Sequence, residues 1–118
     1  MTNKNIENAA TQFGKGFSCS QSVFSAFAPE LGLEIEDALK IASAFGGGTV
    51  RQGEVCGAVT GALMTLGLKY GSEIADDEEK VRQVSQKLMQ RFKEENGSLL
   101  CRDLLGHHLN TPEELEKA

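Results

Sequence analysis

The chain has no tryptophan, one tyrosine and only two prolines among 118 residues. So few aromatics and prolines fit helices better than a succession of short strands and turns. No Cys-x-x-Cys pair occurs, and three cysteines cannot all pair, which argues against a disulfide framework. Positive charge is also scarce. Twelve Lys and Arg face 17 Asp and Glu, a net charge of -5 that argues against nucleic acid or anionic membrane surfaces as partners. The longest uncharged run, Val55 to Leu68, is 14 residues. A helix of that length spans roughly 21 Å against a hydrocarbon core of about 30 Å, so it predicts a buried helix and no membrane insertion. Met1 to Asn8 is polar, without the apolar centre of a secretory signal, and a cytoplasmic location is expected.

What remains is ordinary apolar content, 40%, and 13 glycines. The pattern predicts an all-α fold, a single helical domain over 1–118 with five to six helices around a central apolar helix at about 54–70. Ile6, Ala9, Ala10 and Phe13 recur at i, i+3, i+4, i+7 as the inward stripe of a first helix, which Gly14 and Gly16 end. Ser18 can cap a second helix that turns Val23, Phe24 and Phe27 inward and stops at Pro29 and Gly32. Ala38, Ile41, Ala42 and Phe45 mark a third, ended by Gly46-Gly47-Gly48. A long charged helix follows Asp76, with Val81, Val84, Leu88 and Phe92 as its stripe and Asn96-Gly97 as its stop. Ser98 can cap a short helix holding Cys101 to Leu105, and Thr111-Pro112 opens a final turn.

Cys19, Cys56 and Cys101 each fall near a predicted helix start, where unpaired amides and the positive end of the helix dipole favour a thiolate over a thiol. They are 37 and 45 residues apart, so any shared site is assembled by the fold. Each could equally be a small core hydrophobe. Arg51 is the cation nearest Cys56 in sequence. His107 follows Cys101 closely enough to join a metal site with the three cysteines, or it stands with His108 in solvent.

Gly46, Gly47 and Gly48 could bring backbone amides around an anion, although the run fits neither a P-loop nor a dinucleotide fingerprint. Gly57 and Gly61 lie one turn apart beside Cys56. They predict a face against which another backbone or a cofactor lies close. No Gly-x-Ser-x-Gly elbow supports hydrolase chemistry.

Three segments in order, Phe17-Ser18-Cys19-Ser20-Gln21-Ser22-Val23, Cys56-Gly57-Ala58-Val59-Thr60-Gly61 within Phe45 to Leu68, and Cys101-Arg102-Asp103-Leu104-Leu105-Gly106, resemble the C_GCAxxG_C_C family of small redox-active proteins. The resemblance implies thiol redox with Cys56, Cys19 and Cys101 as catalytic residues. A related domain in split-Soret-type cytochromes implies an iron-sulfur cluster or a metal ion bound by cysteines as the cofactor. The family expects a fourth cysteine, and none occurs up to Ala118. Three thiolates then remain with a histidine, water or partner residue, or a dithiol pair with one spare cysteine. The primary expectation is a thiol- or metal-centred redox protein serving a partner protein or small molecule. The alternative is a non-catalytic metal-binding or interaction module, in which the glycine face packs a partner helix, as in a homodimer.

Overall fold

The computed structural model describes residues 3–74 and 77–105, and these form an all-α fold. Six α-helices follow in order: α1 (Asn3–Gly14), α2 (Cys19–Phe27), α3 (Ile35–Ile41), α4 (Gly57–Tyr70), α5 (Glu79–Asn96) and α6 (Cys101–Leu105), with 3₁₀ turns at Ala28–Leu31 and Ser43–Phe45. The expected boundaries hold to within a few residues. Pro29 sits at the start of the first 3₁₀ turn and Gly32 closes it at φ 92°. Gly97 ends α5 at φ 86°, a left-handed cap that glycine adopts without steric cost. The predicted turn at Thr111-Pro112 lies outside the described residues.

The uncharged helix α4 begins at Gly57 rather than at Glu54, and it packs on both α2 and α5. It shares the centre with α2, which touches α1, α3 and α4. The core is small. Phe24, Ala28, Ala38 and Ala42 form a buried cluster with Leu33 and Met64 packed against it. On α3, Ala38 and Ala42 are buried as the stripe predicts, while Ile41 remains 52% exposed.

The first helix reverses the expected stripe. Ile6 and Phe13 are 53% and 58% exposed, whereas Asn5 and Gln12 are buried. The cause is the surface that α1 meets. α2 turns Ser22 and Ser25 inward, small polar residues that admit a close polar neighbour. Asn5 Nδ2 donates to the Ala26 carbonyl at 3.2 Å and Gln12 Nε2 to Ser25 Oγ at 3.4 Å. Those partners offset the desolvation that would otherwise keep amides at the surface.

Candidate thiol site

Cys19 is the first residue of α2. Ser18 precedes it as N-cap in a reciprocal capping box: Ser18 Oγ accepts the Gln21 N–H at 3.3 Å, and Gln21 Oε1 accepts the Ser18 N–H at 3.1 Å. The Ser-x-x-Gln spacing is the sequence signature of that box. Gln21 Nε2 also donates to the Leu39 carbonyl at 3.0 Å, tying the start of α2 to α3.

Cys56 is the N-cap of α4 rather than a residue of its first turn, and its side chain makes no capping hydrogen bond. Its carbonyl instead accepts from Val59 N at 2.9 Å and Thr60 N at 3.1 Å, the first bonds of the helix. On its other side, the segment Glu54 to Cys56 lies antiparallel to Leu99–Cys101. Val55 and Leu100 form the bridge, Cys56 N–H donates to the Leu99 carbonyl at 2.7 Å, and Cys101 N–H donates to the Glu54 carbonyl at 2.6 Å. Alternation along paired strands places Cys56 and Cys101 on the same side of this short ladder, as diagonal neighbours. Arg102 supports the pairing. Its N–H reaches the Gly53 carbonyl at 3.1 Å and its guanidinium lies 3.5 Å from the Glu54 carboxylate.

Glycines close the site from within. A Cβ on Gly57 would fall 2.8 Å from the Ser20 backbone nitrogen and 3.1 Å from Cys19 Cβ, and one on Gly61 would fall 2.8 Å from the Ser20 carbonyl oxygen. The close-packed face is therefore filled by the α2 backbone, and no cofactor or partner helix has room there. Gly46 lies against Ser18 and Gly48 against Cys101, each too close for a side chain. The amides that follow the three glycines are bonded within the loop. Every N–H from Thr49 to Glu54 donates to a carbonyl between Ala44 and Thr49, which leaves none of those six for an anion. Arg51 is exposed, and the charges that act on Cys19 and Cys101 are those of the other cysteines.

Cys19 lies against Gly57, next to Cys56, and Cys101 lies diagonally across the ladder from Cys56. Burial raises the Cys101 thiol above its ordinary value, and the charges of Cys56 and then Cys19 raise it further. Cys19 is raised by loss of hydration and then by the charge of Cys56, while its own backbone hydrogen bond works the other way. Cys19 as a residue remains exposed, but packing of its Cβ against Gly57 accounts for the partial dehydration of its sulfur. All three thiols are free. Among the described residues, no group of three or more His, Cys, Asp or Glu is arranged to hold a metal ion, and His107 lies outside them.

Two features of the site were not read from the sequence. Ser20 is fully buried where α2 crosses α4, and Thr60 Oγ1 donates to its hydroxyl at 3.4 Å. The loop after α3 is also wound left-handed. Gly47, Gly48, Thr49, Val50 and Arg51 have φ of 65°, 72°, 62°, 49° and 59°. For residues with a Cβ that conformation costs roughly 1–2 kcal/mol each.

The assembly defines a class, a small helical protein with a free thiol at each of three helix starts. The chain matches the family described as putative redox-active protein (C_GCAxxG_C_C) over residues 17–118, and it belongs to that family. No curated protein and no solved structure matches it. Helix α1 precedes the matched region. Among the described residues, no helix is long and apolar enough to cross a membrane.

Proposed function

We propose that the protein is a dithiol/disulfide redox carrier in which Cys56 is the thiol common to every exchange. The observation that carries this reading is that the chain at Cys56 meets both other cysteines: a Cβ on the adjoining Gly57 would fall 3.1 Å from Cys19 Cβ, and the Glu54 to Cys56 segment pairs with Leu99 to Cys101. Cys19 is the exposed member through which a substrate disulfide enters, and Cys101 is the buried member that closes against the same centre. A substrate disulfide takes two electrons. One protein thiolate attacks it to form a mixed disulfide, a second protein thiol displaces the substrate thiol, and a protein disulfide remains. A cellular dithiol then returns the protein to its reduced form. The partner is a redox protein or a small disulfide, and a reducing cytoplasm, where free thiols persist, suits this chemistry. The iron-sulfur and metal alternatives have less support, because the described donors lack a cage of three or more.

Oxidation by glutathione disulfide, followed by intact mass and peptide mapping, tests the reading. The wild type should lose two hydrogens, Cys19→Ser and Cys101→Ser should each still do so, and Cys56→Ser should not. A wild type that forms no internal disulfide, or a Cys56→Ser variant that forms one as readily, overturns it.

A further inference from the structure

Val50 is the most puzzling residue of the loop. It is β-branched, 63% exposed, and held at φ 49°, where glycine or asparagine would sit with far less strain. Burial of its own side chain therefore does not compensate the conformation. The surrounding hydrogen bonds impose it: Val50 N–H donates to the Ala44 carbonyl at 2.7 Å, Arg51 N–H to Gly46 at 2.9 Å and Glu54 N–H to Gly48 at 2.9 Å. Strain over-determined by its surroundings collects where a protein needs two arrangements of one segment.

The second arrangement is suggested by the ladder. Diagonal neighbours across an antiparallel pair have Cα atoms about 7–8 Å apart, and a disulfide requires about 7 Å or less. Cys56 and Cys101 are such neighbours. Joining them requires the two segments to slide. Gly48 opposes that slide, because its carbonyl accepts the Glu54 N–H and it lies so near Cys101 that a Cβ added to it would fall 2.6 Å from Cys101 Cβ. The left-handed turn thus packs against Cys101 and against Glu54, two residues before Cys56.

We infer that the turn Gly47 to Arg51 is a strained spacer released when Cys56 and Cys101 join, so that Thr49 and Val50 act as positioning residues that bias the pair toward the disulfide. This rests on the dithiol reading above. The step balances with glutathione as the couple: two thiols and one glutathione disulfide give the Cys56–Cys101 disulfide and two glutathione thiols.

The test equilibrates the full chain with reduced and oxidised glutathione and quantifies the Cys56–Cys101 disulfide by peptide mapping. Relieving strain in the dithiol form favours that form. Val50→Gly should therefore shift the equilibrium toward the dithiol by about 5- to 30-fold, the Boltzmann factor of one left-handed residue. Val50→Asn, which tolerates the same φ, should shift it in the same direction, and Val50→Ala should shift it little. Amides of residues 49–54 should exchange faster in the oxidised wild type than in the reduced one. A Cys56–Cys101 disulfide that forms with the same midpoint in wild type and Val50→Gly, or without change in those amides, overturns the spacer while the dithiol reading stands. Oxidation that yields only Cys19–Cys56 also overturns it and leaves that reading intact, whereas no internal disulfide at all overturns both.

Discussion

The two faces of α4 are built on opposite terms. Toward α2 it offers Gly57 and Gly61, and the neighbouring backbone comes so close that a methyl group on either glycine would collide with main-chain atoms. Toward α5 and the 3₁₀ turn after α2 it offers Ala62, Thr65 and Leu66, which with Phe27, Leu31, Tyr70 and Leu88 line an open cleft of about 290 Å³. No residue of α5 is fully buried. The first contact can shift only if the main chain moves, while the second can be rearranged by side-chain rotation alone. The thiols sit at the end of α4 where the rigid contact begins. That contact fixes the spacing of Cys19 from Cys56, while the other end of the helix remains loosely packed.

Substitution should separate the two faces sharply. Gly61→Leu drives a side chain into the Ser20 carbonyl and Val23, and should cost about 1–3 kcal/mol. In a thermal melt that is a Tm loss of roughly 5–15 °C. An unchanged Tm would show that α2 yields and that the comparison is false. Leu88→Ala on the other face removes a half-buried side chain and should cost about 1 kcal/mol, below the 2–5 kcal/mol typical of a fully buried leucine. A loss in that higher range, read from urea midpoints, would mean the cleft is closed in solution. Ala62→Val should sharpen the contrast, because added volume points into open space: a change within about 0.5 kcal/mol is expected, and a cost as large as that of Gly61→Leu would erase the distinction.

The smallest effect concerns pH. Cys19 and Cys101 have thiols raised above the ordinary value, so the folded chain keeps protons that the unfolded chain releases. Their contribution to stability is complete below the unfolded thiol value of about 8.5 and declines as pH rises through the folded values. Urea midpoints at constant ionic strength should drift downward above that pH, and the drift should be shallower in a Cys19→Ser, Cys101→Ser double variant. Equal slopes in the two proteins would show that the thiols are not coupled to folding.

Much of this design was legible residue by residue. Ser18, Pro29, Gly32 and Gly97 fix helix ends through local conformational chemistry, so their roles could be read without knowing the fold. The stripe Val81, Val84, Leu88 and Phe92 was legible for the same reason, since periodicity is local, and all four are half-buried. Local periodicity does not reveal what a face will meet. Helix α1 has an apolar stripe and a polar stripe, and the serines of α2 decided between them. The Gly57 and Gly61 pair announced a close neighbour without identifying it as α2. The Val55–Leu100 bridge and the left-handed Val50 had no sequence signal, because one depends on two distant segments and the other contradicts the preference of its residue type.

The Val55–Leu100 bridge also bears on how the chain reaches its folded form. Helices α1, α2 and α3 follow one another with short connections, and their contacts can form early and locally. The bridge joins a residue before α4 to one after α5, so the whole helical hairpin must be in place before it gains anything from closing that loop. The α2–α4 contact beside Cys19 and Cys56 does not depend on that hairpin, so it can form before Cys101 docks. Refolding under oxidising conditions would then capture the first pair as a kinetic product, and the order of assembly itself would decide which disulfide appears first.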